Sequence, residues 1–276
     1  MFPQELSRYS DADFQRLTGV SRKVFSLMLS EVKQYESLHH SGKGRKSKIS
    51  LDNQLLLTLL YWKQYGGLLL YSYIYQVDTT TVFRITEKIK DILHASGRFQ
   101  LPEHILSETS SEPIYLVDAT EVEIQRPVEH QEDVYSGKKK KHTFKFQIII
   151  CQLTGMILQV VGCKGKVHDY QLFKQSMGNF SKEIAFIADS GYQGLTDLFP
   201  NSFTPFKRSA NEPLSEFKRI CNQHYAKIRI KVEHKIRSIK IFRIFSTTYR
   251  GNIRRLQQQF TLIAGIRNVE IRLSKI

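Results

Sequence analysis

Residues 114–125 read IYLVDATEVEIQ. Before this stretch apolar side chains recur at helical spacing. Here β-rich residues alternate with polar ones, the pattern of a half-buried strand. Two more runs follow closely, TFKFQIIICQL at 143–153 and MILQVVGC at 156–163, with Thr154-Gly155 as the turn between them. HDYQLFKQSM at 168–177 returns to helical spacing, and EIAFIAD at 183–189 forms a fourth strand. Helices then cover about Glu216 to Ile244 and about Ile253 to Leu273. The order β-β-β-α-β-α predicts a layered α/β sheet that draws side chains from separated segments to one cleft.

Working back from that point, the first hundred residues are helical. Phe14, Leu17, Val20, Val24, Leu27 and Leu38 lie at helix-like spacing, with a break near Gly19. The basic loop HHSGKGRKSK follows at 39–48. Ser50 then caps the helix LDNQLLLTLLYWKQYG, which Gly66-Gly67 ends. Trp62 within it reads as core. Next come LLLYSYIYQV and TTVFRITEKIKDILHAS, joined at Val77-Asp78-Thr79. Two short helices joined in this way resemble a helix-turn-helix, whose second helix presents its first side chains to base edges in the major groove. Those side chains would be Thr79, Thr80, Thr81 and Arg84, although many helical hairpins share the pattern and bind no DNA. Residues 96–113, rich in Gly, Pro, Ser and Thr, read as a connector.

Composition narrows the partners. In 276 residues there are 41 Lys and Arg against 26 acids, a net charge of +15. From Phe203 to Ile276, 17 Lys and Arg face only 4 acids. A basic surface on that scale suits a polyanion, most often nucleic acid, through phosphate contact and counterion release. No apolar run approaches the ~20 residues of a membrane helix, and the N-terminus lacks the pattern of a secretory signal. Cys151, Cys163 and Cys221 are odd in number and widely spaced, which argues against a disulfide framework or a zinc site and suggests a reducing cytoplasm.

Three acids then stand out. Asp118 shares the period-2 phase of Ile114, Leu116, Val122 and Ile124, so it faces the side patterned as buried. A buried carboxylate needs a cation, hydrogen bonds or a metal. Asp189 ends the fourth strand, where it either begins a turn before Ser190-Gly191 or stands at the rim of the sheet for chemistry. Glu233 is the only acid between Glu216 and Glu270, in a helix dense with Lys and Arg. Ile228, Val232, Ile236 and Ile239 form an apolar stripe for packing, and Arg229, Glu233, Arg237 and Lys240 form the stripe beside it. Charge balance through i,i+4 pairs with Arg229 and Arg237 would be worth only a few tenths of a kcal/mol per pair and does not explain a single acid among so many bases. A metal-binding acid within a phosphate-binding surface explains it better. Two Asp and one Glu offer hard oxygen ligands suited to Mg²⁺ or Mn²⁺ rather than zinc. Two such ions about 3.5–4 Å apart can drive phosphodiester displacement. Lys138, Lys139, Lys140 and Lys141 read as phosphate contacts or as a solvated basic turn, and Asp169 reads as a helix cap.

These residues lie in motifs that resemble the DDE-type transposases of bacterial insertion sequences, in the branch whose catalytic domain also occurs in PIF/Harbinger elements. The motifs are YLVDATEVEI, SGKKKKHTFKFQIIICQLTG, GCKGKVHDYQLFK, IADSGYQG and RIKVEHKIRSIK, preceded by YSYIYQVDTTTVFRI. The resemblance runs from roughly Leu51 to Ile271. It implies a ribonuclease-H-like catalytic domain over 114–276, after a helical DNA-binding region over 1–95 and the connector. It also implies a metal-binding catalytic triad of Asp118, Asp189 and Glu233 holding two Mg²⁺ ions, with Mn²⁺ able to substitute. The family pattern around the Glu has an Arg four residues before and a Lys seven after, matched by Arg229 and Lys240. These two and Arg237 would hold DNA. The Tyr expected three residues before the Arg is Ala226 here, with Tyr225 one place earlier, and Asp118-Ala119 replaces the commoner Asp-Gly. The implied activity is cleavage at terminal inverted repeats, then attack of the 3′-hydroxyl on target DNA, without a covalent protein–DNA intermediate. A homodimer or larger assembly on paired ends, in the cytoplasm with the nucleoid, completes the implied picture. The alternatives are a nuclease of the same fold that cuts without joining, and a non-catalytic DNA-binding regulator.

Overall fold

The structure is a computed structural model that describes residues 8–39, 47–102, 114–178, 180–208 and 213–274. Most of the basic loop at 39–48 and of the connector at 96–113 therefore lies outside the described residues. The chain divides into two compact units. One comprises Met1–Gln100, Ile239–Thr247 and Gln258–Ile276, and the other comprises Leu101–Ser238 and Thr248–Gln257.

The first unit is helical. It contains α1 (Asp11–Thr18), α2 (Arg22–His39), α3 (Leu51–Gln64), α4 (Leu68–Tyr75) and α5 (Thr79–Ala95). The break between α1 and α2 falls at Gly19, which takes φ 85° as the C-cap of α1. A Cβ there would lie 2.7 Å from the Phe242 ring, so both the backbone turn and the close approach require glycine. The Ser50 hydroxyl caps α3 by accepting the Asn53 N–H. Leu55, Leu56, Leu57, Leu59 and Trp62 of α3 are buried, as are Val82, Ile85, Ile89, Ile92 and Leu93 of α5, where apolar residues recur every three or four positions. Arg267 is buried in the same unit. Its Nη2 donates to the Gly19 carbonyl at 2.8 Å, and its guanidinium lies 5.0 Å from the Phe242 ring centroid. Burial lowers its pKa to about 10.

The second unit is a mixed sheet with helices. In chain order it holds β1 (Ile114–Glu123), a one-turn α6 (Gln131–Val134), β2 (Tyr135–Ser136), β3 (Lys141–Cys151) and β4 (Ile157–Lys164). After these come α7 (Asp169–Ser176), β5 (Ala185–Ile187), a 3₁₀ turn (Ser190–Tyr192), a one-turn α8 (Leu195–Leu198) and α9 (Glu216–Lys240). The last described helix, α10 (Ile253–Leu273), begins in this unit and from Gln258 onward belongs to the helical one. β1 runs antiparallel to β3 with Asp118 opposite Ile148, and β3 runs antiparallel to β4. β5 joins the other edge of β1 in parallel, and β2 pairs with the start of β3. Three antiparallel strands followed by a crossover to a parallel fourth give the ribonuclease-H-like order.

Strand alternation sorts the two faces. Tyr115, Val117 and Ile149 pack with Phe173, Phe186, Tyr192, Leu195 and Phe199 on one side. Leu116, Asp118 and Val122 point to the other, with Ile148 and Ile150 of β3.

Two boundaries differ from the sequence pattern. β5 is three residues, not the seven of EIAFIAD, because its ladder with β1 covers only Ile114–Leu116, with a single bridge to Phe203 on its other side. Asp189 therefore stands two residues past the ladder rather than at its end. The helix from Glu216 stops at Lys240 rather than Ile244. Phe242 is extended and fully buried there, and a 3₁₀ turn follows at Arg243–Phe245.

Candidate active site

Asp118 sits in the middle of β1 with its side chain 16% exposed. One carboxyl oxygen, Oδ1, accepts the N–H of Ala119 at 2.8 Å. The other, Oδ2, lies 3.9 Å from Arg229 Nη2. Burial pushes its pKa up to about 6, and the negative charges of Asp189 and Glu233 add to that rise. The Ala119 hydrogen bond and the Arg229 charge act in the opposite direction. Asp118 thus feels both other acids, and the sheet face patterned as buried is where it lies.

Asp189 is half-buried. Its Oδ1 accepts the Gly191 N–H at 2.8 Å and caps the 3₁₀ turn. It is therefore a turn-forming Asp in its local geometry and, electrostatically, a neighbour of Asp118. Glu233 is 54% exposed on α9, with Oε1 3.8 Å from Arg229 Nη2 one turn earlier. Val232 beside it is fully buried, as its stripe predicts. Arg229, 15% exposed, is thus within 4 Å of Asp118 and of Glu233. It is held among carboxylates and does not face solvent as Arg237 does. Among the described residues no three His, Cys, Asp or Glu side chains form a group that could hold a metal ion. The Arg229 guanidinium places a positive charge between Asp118 and Glu233.

Residues 117–268 match the family described as DDE superfamily endonuclease. Residues 47–99 match the family described as helix-turn-helix of DDE superfamily endonuclease. The chain is also 37% identical over 262 residues to a protein of Microchaete diplosiphon named as a probable transposase for insertion sequence element IS702, covering 94% of this chain and 95% of that one. The chain belongs to the DDE-type transposases of insertion sequences.

In this DDE transposase the helix-turn-helix match spans α3, α4 and α5. Thr79, Thr80 and Thr81 open α5, with Thr80 and Arg84 exposed and Thr79 and Thr81 half-buried. Lys138, Lys139 and Lys140 are exposed at the tip between β2 and β3, where Lys140 takes φ 52°. Lys141, the first residue of β3, pairs instead with Glu123 at 2.5 Å. Lys240 is half-buried at the last position of α9. Tyr225, one place from the family position, stacks on Phe203 with ring centroids 3.8 Å apart. No helix among the described residues is long and apolar enough to cross a membrane.

Sequence reasoning missed a second group beside Asp189. Lys145 of β3 pairs with Asp169 of α7, Nζ to Oδ1 2.7 Å, with the two side chains 9% and 22% exposed. Tyr192 is fully buried, and its phenol pKa is driven well up by burial and then by Asp169, Asp118 and Asp189. The available signal was Lys145 itself, a cation within the apolar run TFKFQIIIC that has to find a partner on folding.

Proposed function

We propose that this transposase cleaves phosphodiester bonds at the terminal inverted repeats of its element and joins the 3′-hydroxyl ends to target DNA. Asp118, Asp189 and Glu233 are its metal-binding catalytic residues. The observation that carries the reading is Asp118, a mid-strand carboxyl kept out of water and within the field of both other acids. Negative charge near a part-buried carboxyl opposes folding, and a bound cation beside Arg229 would offset what the single guanidinium leaves.

The donor set fits a hard divalent ion such as Mg²⁺ or Mn²⁺, since all three side chains are carboxylates. Asp118, Asp189 and Glu233 would hold it, and when bound it would supply charge that activates the attacking oxygen and steadies the leaving one. The remaining work belongs to the chain. Asp118 is fixed by the β1–β3 ladder and by the Ala119 N–H. Asp189 is fixed by its own turn. Arg229 offsets negative charge between Asp118 and Glu233, and moves toward a phosphate oxygen when the DNA backbone enters. Arg237, Lys240 and the exposed Lys138–Lys140 tip bind phosphates, and the start of α5 reads the terminal repeat. The active form assembles as a dimer or larger on paired ends.

The test uses labelled end oligonucleotides with Mg²⁺. Parent protein is expected to give both cleaved ends and strand-transfer products. Asp189→Asn and Glu233→Gln are expected to lose both by at least about a thousandfold while binding the same DNA. Full cleavage by either variant sinks the catalytic assignment. Cleavage without joining favours a nuclease of the same fold, and DNA binding with no cleavage by the parent protein favours a regulator.

A further inference from the structure

The turn that carries Asp189 is gripped by the start of α7, a helix to which the proposed reaction gives no task. His168 is the N-cap of α7 and makes no side-chain cap bond, and Asp169 follows it in the first turn. The Asp169 carboxylate is not spent on capping. Its Oδ1 pairs with Lys145 Nζ at 2.7 Å, and Lys145 also donates to the Val167 carbonyl at 2.5 Å. The other oxygen, Oδ2, lies 2.8 Å from the point where a Cβ on Gly191 would fall. Asp189 Oδ1 lies 3.0 Å from that same point. A Cβ at Gly191 would therefore crowd both carboxylates at once and force at least the Asp169 oxygen to shift.

A second grip lies three residues on. The Tyr170 hydroxyl donates to the Gly194 carbonyl at 2.8 Å. The Tyr170 ring comes within 2.9 Å of the Cβ position of Gly194, which has φ 94°. The first turn of α7 thus brackets residues 191–194 at both ends. Beneath them Tyr192 is buried, within the field of Asp169, Asp118 and Asp189 together.

A nearly buried ion pair is a poor device for stability alone. Its desolvation cost offsets most of its attraction, and apolar residues of similar volume commonly serve as well. What the Lys145–Asp169 pair does supply is direction. It holds a carboxylate rigidly against the one turn whose shape sets the Asp189 side chain, and Lys145 cancels the charge that would otherwise repel Asp189. We infer that Lys145 and Asp169 are a positioning pair, which fixes the Gly191 turn and thereby aims the Asp189 carboxylate at the metal.

The inference rests on Asp189 being a metal ligand, so the experiment separates the two. Mn²⁺ alone is titrated calorimetrically into the full-length protein, its melting temperature is taken without metal, and the Mn²⁺ dependence of end cleavage is recorded. The variants are Asp169→Leu with Lys145→Met, which replaces the pair by apolar groups, and Gly191→Ala, which crowds both carboxylates. The double variant is expected to melt near the parent yet bind Mn²⁺ about tenfold more weakly, as loss of a residue that orients a ligand does. Its cleavage recovers at high Mn²⁺. Gly191→Ala is expected to show the same weakened Mn²⁺ binding. Asp189→Asn serves as the reference for the ligand reading. If it binds Mn²⁺ as the parent does, that reading falls and the inference with it. If Asp189→Asn loses affinity while the double variant and Gly191→Ala both keep the parent's, the positioning role alone is overturned.

Discussion

Asp118 shows how much of one residue's surroundings a register position can reveal. Its place on the buried face was legible from alternation, because the period of a strand is fixed at two and its neighbours are apolar. The partner of its charge was not, since Arg229 lies 111 positions away in sequence and meets it only through the fold. Cys163 offers a sharper test of local environment. Burial, ahead of every charge near it, pushes its thiol up to about 11 from an ordinary 9. A raised value means that the folded state favours the neutral thiol. Its share of stability is full below pH 9 and is lost as pH climbs from 9 to 11. At pH 9, alkylation of Cys163 in native protein is expected to be roughly fiftyfold slower than in urea, from the thiolate fraction alone. Mass spectrometry of the alkylated peptide measures this, and equal rates in the two states refute it.

Elements were read well where pattern and caps agree. Ser50, Gly19 and the Thr154-Gly155 turn mark boundaries that the structure keeps. The pieces that escaped are short or set from outside. α6, β2 and α8 span four residues or fewer, too few for any period to show. The end of α9 is decided by the burial of Phe242, which continues the apolar spacing while leaving the helix. Close packing between elements is equally invisible in a linear pattern. Gly265 of α10 lies so near Phe99 that an added Cβ would sit 1.7 Å from the Phe99 carbonyl oxygen. Backbone cannot yield as a flexible side chain does, so Gly265→Ala is expected to cost about 3 kcal/mol despite alanine's better helix propensity. Urea unfolding monitored by circular dichroism gives the number. A neutral or stabilising result means that α10 shifts freely.

At the scale of the whole molecule, charge was the most readable property, and chain path the least. The first hundred residues form one unit only with 239–247 and 258–276, while 248–257 belongs with the sheet. Within the helical unit Arg267 holds the Gly19 carbonyl, Glu270 accepts the Ser21 N–H at 2.7 Å, and Lys63 donates to the Ile241 carbonyl at 3.1 Å. A fragment ending at Gln100 lacks all three partners and the Phe242 ring against Gly19. It is expected to unfold without a cooperative transition, whereas the full chain melts sharply, and calorimetry distinguishes the two. The same chain path limits how such a gene can evolve. Because the chain passes between its units at four points, a single recombination joint cannot exchange either unit intact with a relative. Change within either unit has to arise by point substitution, with the encoded scaffold inherited as a whole.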